Sequence, residues 1–174
     1  LFFNVCLFSQ PTWEYFTSNL RLTNVAARGN DILTSSSDSY GFYHLDTFGN
    51  STHYTTQNSD VPFFAIKCVG IDAQGGWWVI QYKPFVYTDG VARFDGATWT
   101  EWNLTDLGLL PPYTAILGIE TLDDGRVFLS TNHGAAVYEN GSWSVVDTSN
   151  SGLPSNEIRD ITTDNNGNTY FATD

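Results

Sequence analysis

Acidic side chains are the most numerous groups in this chain that could do chemistry. The sequence has 19 Asp and Glu against seven Lys and Arg, and its formal net charge is −12. Residues 123–125 and 164–168 superficially resemble calcium loops, since they combine carboxylates with a glycine. Their spacing departs from the calcium-loop pattern, and the distal glutamate is missing. Because both segments fall where the chain needs a tight turn, we assign them to turns and predict no metal site.

Catalytic motifs are absent from the sequence. It has no Gly-x-Ser-x-Gly nucleophile elbow, no phosphate-binding loop and no histidines paired at metal-ligand spacing. We therefore predict no catalytic residue and no cofactor. The alternative is a carbohydrate-active enzyme, a lyase or a glycosidase, because two carboxylates facing each other across a pocket would suffice for a glycosidase. Loop residues that could supply them are Asp38, Asp60 and Asp89.

An aromatic-rich segment at residues 81–89 is the best pointer to a binding site. The corresponding part of the next repeat is little more than residues 131–133. Insertions between repeats form loops on one face, which is often the binding face. The candidate ligand-binding residues come from this segment, from the equivalent loop before it and from the connector after it: Tyr40, Tyr82, Lys83, Phe85, Tyr87 and Tyr113. The alternative is a hairpin extension whose aromatic side chains pack on their own blade.

The composition excludes two classes of partner. With a net charge of −12 and no basic cluster, the chain would be repelled by nucleic acid and by an anionic membrane surface. We expect a neutral or mildly cationic ligand instead. Cys6 and Cys68 form neither a disulfide framework nor a metal-binding pattern. Cys68 lies in the apolar run 63–71, which predicts a small buried residue in a central strand.

The elements that must position these residues are repeated along the chain. Trp99 and Trp143 occupy matching places 44 residues apart (143 − 99), and the turn glycines Gly125 and Gly167 are 42 apart (167 − 125). A period in the low forties that is built from short strands indicates a β-propeller with one four-stranded blade per repeat. A tryptophan needed once per blade is expected to pack between adjacent blades.

The repeat register predicts an all-β propeller over residues 11–174. It defines blades at 23–56, 65–103 and 114–147, followed by two strands of an incomplete blade at 157–174. The inner strands, 114–121 and 158–163, are expected to be apolar and central. No stretch has helical apolar spacing. The incomplete last blade indicates a fragment of a longer propeller.

Residues 1–10 form a short apolar stretch that is too short to span a bilayer. Its apolar run ends in a small residue before Gln10 and Pro11, which predicts the remnant of a signal peptide. The alternative is an extra strand that pairs with the one after it.

The phrase from Gly152 to Asn168, Gly-Leu-Pro-Ser-Asn-x-Ile-x-x-Ile-x-x-Asp-x-x-Gly-Asn, resembles the two-component regulator propeller repeat. The resemblance covers residues 61–174 well and residues 11–60 loosely. It implies an exported bacterial propeller, periplasmic or extracellular, that acts as a ligand-binding sensor or a protein-interaction module. We predict a glycan, a peptide or a protein as the partner and no insertion of the propeller into a membrane. The alternative is a purely structural interaction domain, whose partner would be a downstream domain of the parent chain. The repeat contains no catalytic residue to carry over.

Overall fold

The structure, a computed structural model, describes residues 2–5, 14–17, 21–36, 40–81, 90–109, 114–164 and 166–174. These ranges contain strands and no helix, so none of the described residues lies in a helix that could cross a membrane. The strands are β1 (Phe2–Val5), β2 (Glu14–Thr17), β3 (Leu22–Arg28), β4 (Asp31–Ser36), β5 (Phe42–Leu45), β6 (Ser51–Tyr54), β7 (Ile66–Ile71), β8 (Trp77–Gln81), β9 (Gly90–Phe94), β10 (Trp99–Asn103), β11 (Ile116–Thr121), β12 (Val127–Thr131), β13 (Gly134–Glu139), β14 (Ser142–Val146), β15 (Ile158–Thr163) and β16 (Thr169–Thr173).

Three antiparallel four-stranded sheets follow one another along the chain, each with its strands in sequence order. We call β3–β6 blade 1, β7–β10 blade 2 and β11–β14 blade 3. Strands β15 and β16 form a two-stranded sheet, and β1 and β2 form another. The predicted all-β propeller of four-stranded blades is confirmed. The division of the chain at residue 10 stays a prediction.

The innermost strands of neighbouring blades contact one another in the order β3, β7, β11 and β15, so the prediction that they are central is confirmed. The prediction that they are apolar is wrong in part. In β11 and β15 most positions are half-buried or exposed, whereas every position of β12 is buried. The reason is that an inner strand borders the central channel, while the second strand is covered on both faces. Cys68 of β7 is buried, as predicted.

Aromatic rings fill the seams between blades. Trp78 and Trp102 of blade 2 meet Tyr138 and Trp143 of blade 3, with ring centroids 5.1 to 6.0 Å apart. Trp99 of blade 2 lies edge-on to Phe42 of blade 1, with centroids 6.3 Å apart. The prediction that the recurrent tryptophans pack between adjacent blades is therefore confirmed.

The acidic segments that resembled calcium loops are hairpin turns. The Asp164 carboxylate accepts hydrogen bonds from the backbone N–H groups of Asn166 and Asn168, both at 2.9 Å, and from the Asn168 amide at 2.9 Å. Led by the Asn168 side chain, these bonds lower the pKa of Asp164 to about 2. Asp124 similarly accepts from the backbone N–H of Arg126 at 3.0 Å. Their assignment to turns is confirmed.

Candidate ligand-binding face

The antiparallel order of the strands gives every blade two ends. The loop between its second and third strands and the connector to the next blade lie at one end, which we call the connector face. The two hairpins, between strands one and two and between strands three and four, lie at the other end, the turn face. Backbone hydrogen bonds join loop to connector twice, from Gly41 N–H to the Phe64 carbonyl at 3.0 Å and from Gly134 N–H to the Asn156 carbonyl at 2.7 Å.

Gly41 and Gly134 allow this close approach. Both have positive φ, 80° and 105°, which residues with a Cβ rarely adopt. A Cβ on Gly41 would collide with the carbonyl oxygen of Tyr54, and one on Gly134 would lie 2.7 Å from that of Val146. Gly41 and Gly134 are therefore packed tightly against the outer strands of their blades.

Two exposed aromatic side chains meet on the connector face at the junction of blades 1 and 2. Tyr40 comes from the loop between β4 and β5, Phe64 comes from the connector between β6 and β7, and their ring centroids are 3.7 Å apart. Tyr40 is 58% exposed and Phe64 50%. His53 fixes the Tyr40 backbone, because its Nε2 donates to the Tyr40 carbonyl at 2.6 Å and its ring stacks on Tyr43.

Of the six predicted ligand-binding residues, only Tyr40 lies within the described part of the chain. The other five lie outside the described residues, so their role stays a prediction: Tyr82, Lys83, Phe85, Tyr87 and Tyr113. The residues that flank the 82–89 segment are described. Gly90 packs on the connector, where a Cβ would lie 3.1 Å from the buried Phe63 ring and 3.3 Å from Gln81. The segment therefore starts and ends at the connector face.

Phe64 lies beside Tyr40 but is not among the six predicted ligand-binding residues. Its position in a Pro-Phe-Phe sequence of the connector was the available signal. Sequence alone did not distinguish Phe63, which is buried, from Phe64, which is exposed.

A central cavity of about 230 Å³ lies among the inner strands of the three blades, lined by residues 24–28, 69–71 and 119–121. Arg28 crosses its turn-face end. The guanidinium donates to the carbonyls of Ile71 at 3.0 Å and Thr121 at 3.3 Å, and it pairs with Asp123 at 2.6 Å. One residue of blade 1 therefore joins blades 2 and 3.

The described residues contain no group of three or more His, Cys, Asp or Glu side chains that could hold a metal ion. His44 Nε2 donates to the Asp31 carboxylate at 2.6 Å, and His133 is exposed beside Asn132. Of the loop carboxylates considered for a glycosidase, Asp60 is exposed, and Asp38 and Asp89 lie outside the described residues.

Comparison with known families supports the resemblance found in the sequence. Residues 152–174 match the two component regulator propeller model. The matched segment begins at the Gly-Leu-Pro connector and contains both strands of the β15–β16 sheet. The resemblance to two component regulator propellers is therefore confirmed at this repeat. None of the curated proteins is significantly similar to the chain in sequence.

Several solved structures share the fold. The extracellular domain of a hybrid two component system from B. thetaiotaomicron superposes with a TM-score of 0.69 at 19% identity, over 92% of this chain and 23% of that one. A catalytically inactive virginiamycin B lyase from Staphylococcus aureus with quinupristin gives 0.61 at 13% identity, over 98% and 52%. YCF48 bound to D1 peptide gives 0.57 at 14% identity, over 93% and 50%. The chain thus spans about a quarter of the first of these proteins and half of the others.

Proposed function

We propose that this chain is part of an exported, non-enzymatic propeller, periplasmic or extracellular, that binds a ligand or a protein partner through its connector face. The observation that carries the proposal is the contact between the exposed rings of Tyr40 and Phe64. The proposal that the chain belongs to an extracellular sensor is supported by two similarities. One is the match to two component regulator propellers, and the other is the likeness to an extracellular domain of a hybrid two component system.

The aromatic pair of Tyr40 and Phe64 is suited to binding because hydrogen bonds hold the backbone of both residues in place. Aromatic side chains offer a large contact area at low entropic cost, and they often dominate binding energy. Tyr40 is fixed through its carbonyl by His53, and the backbone of Phe64 is fixed by Gly41. The rings are therefore already ordered before a ligand arrives, which lowers the free-energy cost of binding.

We further propose that Tyr82, Lys83, Phe85, Tyr87 and Tyr113 extend this surface around the connector face. The chain carries a net charge of −12, so an anionic ligand would be repelled and a neutral or mildly cationic one favoured. A glycan, a peptide or a protein surface of that charge would stack on the rings with weak salt dependence, because few charges pair.

The test is binding to arrays of neutral and cationic glycans and peptides, followed by titration of the strongest ligand. Replacing both rings, Tyr40→Ala with Phe64→Ala, is expected to weaken binding by roughly 1–3 kcal/mol, about fivefold to 150-fold. The control is Phe48→Ala, because Phe48 is 88% exposed and lies in a hairpin of the turn face. Unchanged affinity in the double variant, or equal weakening in the control, would place the site elsewhere.

The predicted loop residues need a separate variant. Tyr82→Ala with Phe85→Ala is expected to weaken the same ligand by a similar factor while leaving the thermal unfolding midpoint unchanged. If this variant unfolds, the side chains of Tyr82 and Phe85 stabilise the fold rather than form a ligand-binding site. Turnover of a carbohydrate by the chain, abolished by Asp60→Asn, would contradict a non-enzymatic function.

A further inference from the structure

A cleft of about 310 Å³ lies on the turn face, between blades 2 and 3. It is separate from the aromatic pair, which lies at the opposite ends of the blades. The blade 2 wall carries Arg93 and Gln74, and the blade 3 wall carries Glu139, Asn140 and Tyr138. A volume of this size is at the lower end of the range of about 300–1,000 Å³ that is usual for small-molecule sites.

Arg93 is held in place by a buried carboxylate behind it. Its Nε donates to Asp72 at 2.6 Å, and Asp72 is 2% exposed. The same carboxylate oxygen accepts the Trp78 indole N–H at 2.8 Å. A Cβ on Gly76 would lie 2.5 Å from one terminal nitrogen of Arg93, so only glycine leaves room for the guanidinium. The terminal N–H groups of Arg93 make no hydrogen bond with described residues and line the cleft.

On the opposite wall, Glu139 is an exposed carboxylate that accepts no hydrogen bond from the described residues. Asn140 follows it in the hairpin with a positive φ of 51°, and its side-chain amide likewise has no partner among them. The remaining charges in the cleft cancel locally, because Arg126 pairs with Asp124 through Nη2 at 2.7 Å. The cleft therefore presents the terminal N–H donors of Arg93, whose charge is paired with Asp72, on blade 2. On blade 3 it presents the Glu139 carboxylate, which interacts electrostatically with Arg126.

These charges restrict what the cleft can bind. A simple anion would face the carboxylates of Glu139, Asp124 and Asp72, and a simple cation would face Arg93 and Arg126, so a ligand of one sign meets repulsion as well as attraction. A molecule with both charges can place a carboxylate on Arg93 and an ammonium on Glu139. Charge-assisted hydrogen bonds of both kinds are the stronger class. Gln74 and Asn140 add amide donors and acceptors beside them.

We propose that this cleft is a second ligand site, which binds a small zwitterion of the α-amino acid class across blades 2 and 3. The carboxylate lies against the Arg93 guanidinium, the ammonium lies against the Glu139 carboxylate, and the side chain of the ligand points out of the cleft. Because the site joins two blades, an occupied cleft adds contacts across their seam and raises the unfolding midpoint.

The test uses the intact chain and follows the backbone amide signals of Gln74, Gly125 and Asn140 by NMR. Alanine and glutamine serve as zwitterions, and N-acetylalanine and alanine methyl ester each lack one of the two charges. The zwitterions are expected to shift the three amides with saturation. Each derivative is expected to bind about tenfold or more weakly, since it lacks one charge-assisted bond.

Glu139→Gln is the matched variant, because it keeps the shape and removes the anion. It is expected to weaken alanine binding about tenfold or more, and to strengthen N-acetylalanine binding if it changes it at all, because the Glu139 charge repels that anion. Glu101→Gln is the control, since Glu101 is an exposed glutamate in β10 outside the cleft. An Arg93 variant is avoided as the main test because it would disturb Asp72.

Equal binding of alanine and its N-acetyl derivative would overturn the proposal, as would binding of a neutral monosaccharide in place of the amino acids or no response to any of these probes. The aromatic double variant Tyr40→Ala with Phe64→Ala is expected to leave zwitterion binding unchanged. The outcome at the cleft and the outcome at the connector face are therefore independent.

Discussion

The sharpest stability prediction concerns Asp72→Asn. Two backbone N–H groups, of Gln74 at 3.0 Å and Gly76 at 2.8 Å, point at one carboxylate oxygen, while Trp78 and Arg93 point at the other. An asparagine has one acceptor oxygen, so its NH₂ group must face two donors whichever way the amide is turned. Breaking this buried pair is expected to cost about 3 kcal/mol, at the lower end of the usual range because Arg93 is partly exposed.

That loss is measurable in two ways. For a chain of 174 residues, about 3 kcal/mol corresponds to a fall of roughly 6–12 °C in the unfolding midpoint. Chemical denaturation gives the free energy directly, provided that the denaturant dependence stays unchanged. The control is Asp164→Asn, which alters a turn aspartate of the same kind at a less buried position. If Asp72→Asn is no less stable than this control, the buried network does not stabilise the seam between blades 2 and 3.

The network also predicts a pH dependence. Burial alone would raise the pKa of Asp72, but hydrogen bonds from Arg93, Trp78 and Gly76 outweigh it, so the pKa lies below its usual value. A lowered pKa means that the carboxylate stabilises the fold above its unfolded-state pKa of about 3.9, and that this stabilisation disappears as the pH falls through the folded-state value. The wild type is therefore expected to lose more stability on acidification below about pH 4 than Asp72→Asn does. Parallel acid dependences would contradict this assignment.

Three further predictions test the turns, the loops and the seams. Trp143→Ala, which removes a ring from the cluster between blades 2 and 3, is expected to destabilise the protein by about 3–5 kcal/mol in denaturant titration; a loss under about 1 kcal/mol would show that the ring is dispensable. Gly134→Ala is expected to destabilise more than Gly29→Ala in thermal unfolding, because both have positive φ but only Gly134 is crowded by a carbonyl oxygen. The carboxyl of Asp164 is expected to titrate by NMR with a pKa of about 2, and a pKa near 4 would mean that its turn hydrogen bonds are absent.

The sequence predicted the repeated elements well because they are specified locally. The turn at Asp164 is held by hydrogen bonds to residues no more than six positions away. The alternation of residue types that predicts each strand also extends over only a few residues. The recurrent tryptophans contact distant residues, as Trp143 contacts Trp78, but their period along the chain was enough to predict that Trp143 lies between blades.

Contacts between distant residues could not be predicted in this way. The hydrogen bond between Asp72 and Arg93 joins residues 21 apart in sequence. The pairing of Arg28 with Asp123 spans 95 residues. No rule of sequence spacing predicts that these side chains meet. They are brought together by the packing of the blades against one another. The half-exposed inner strands have the same origin, because only the assembled blades create a central channel.

The most direct test of ligand binding at the connector face is a map of backbone amide shifts on addition of the glycan or peptide that binds the chain most tightly. The largest changes are expected at residues 40–41, 63–65 and 82–90, with small changes at the hairpins 29–30, 122–126 and 164–168. Changes confined to those hairpins, with residues 40–41 and 63–65 unaffected, would contradict the proposed function.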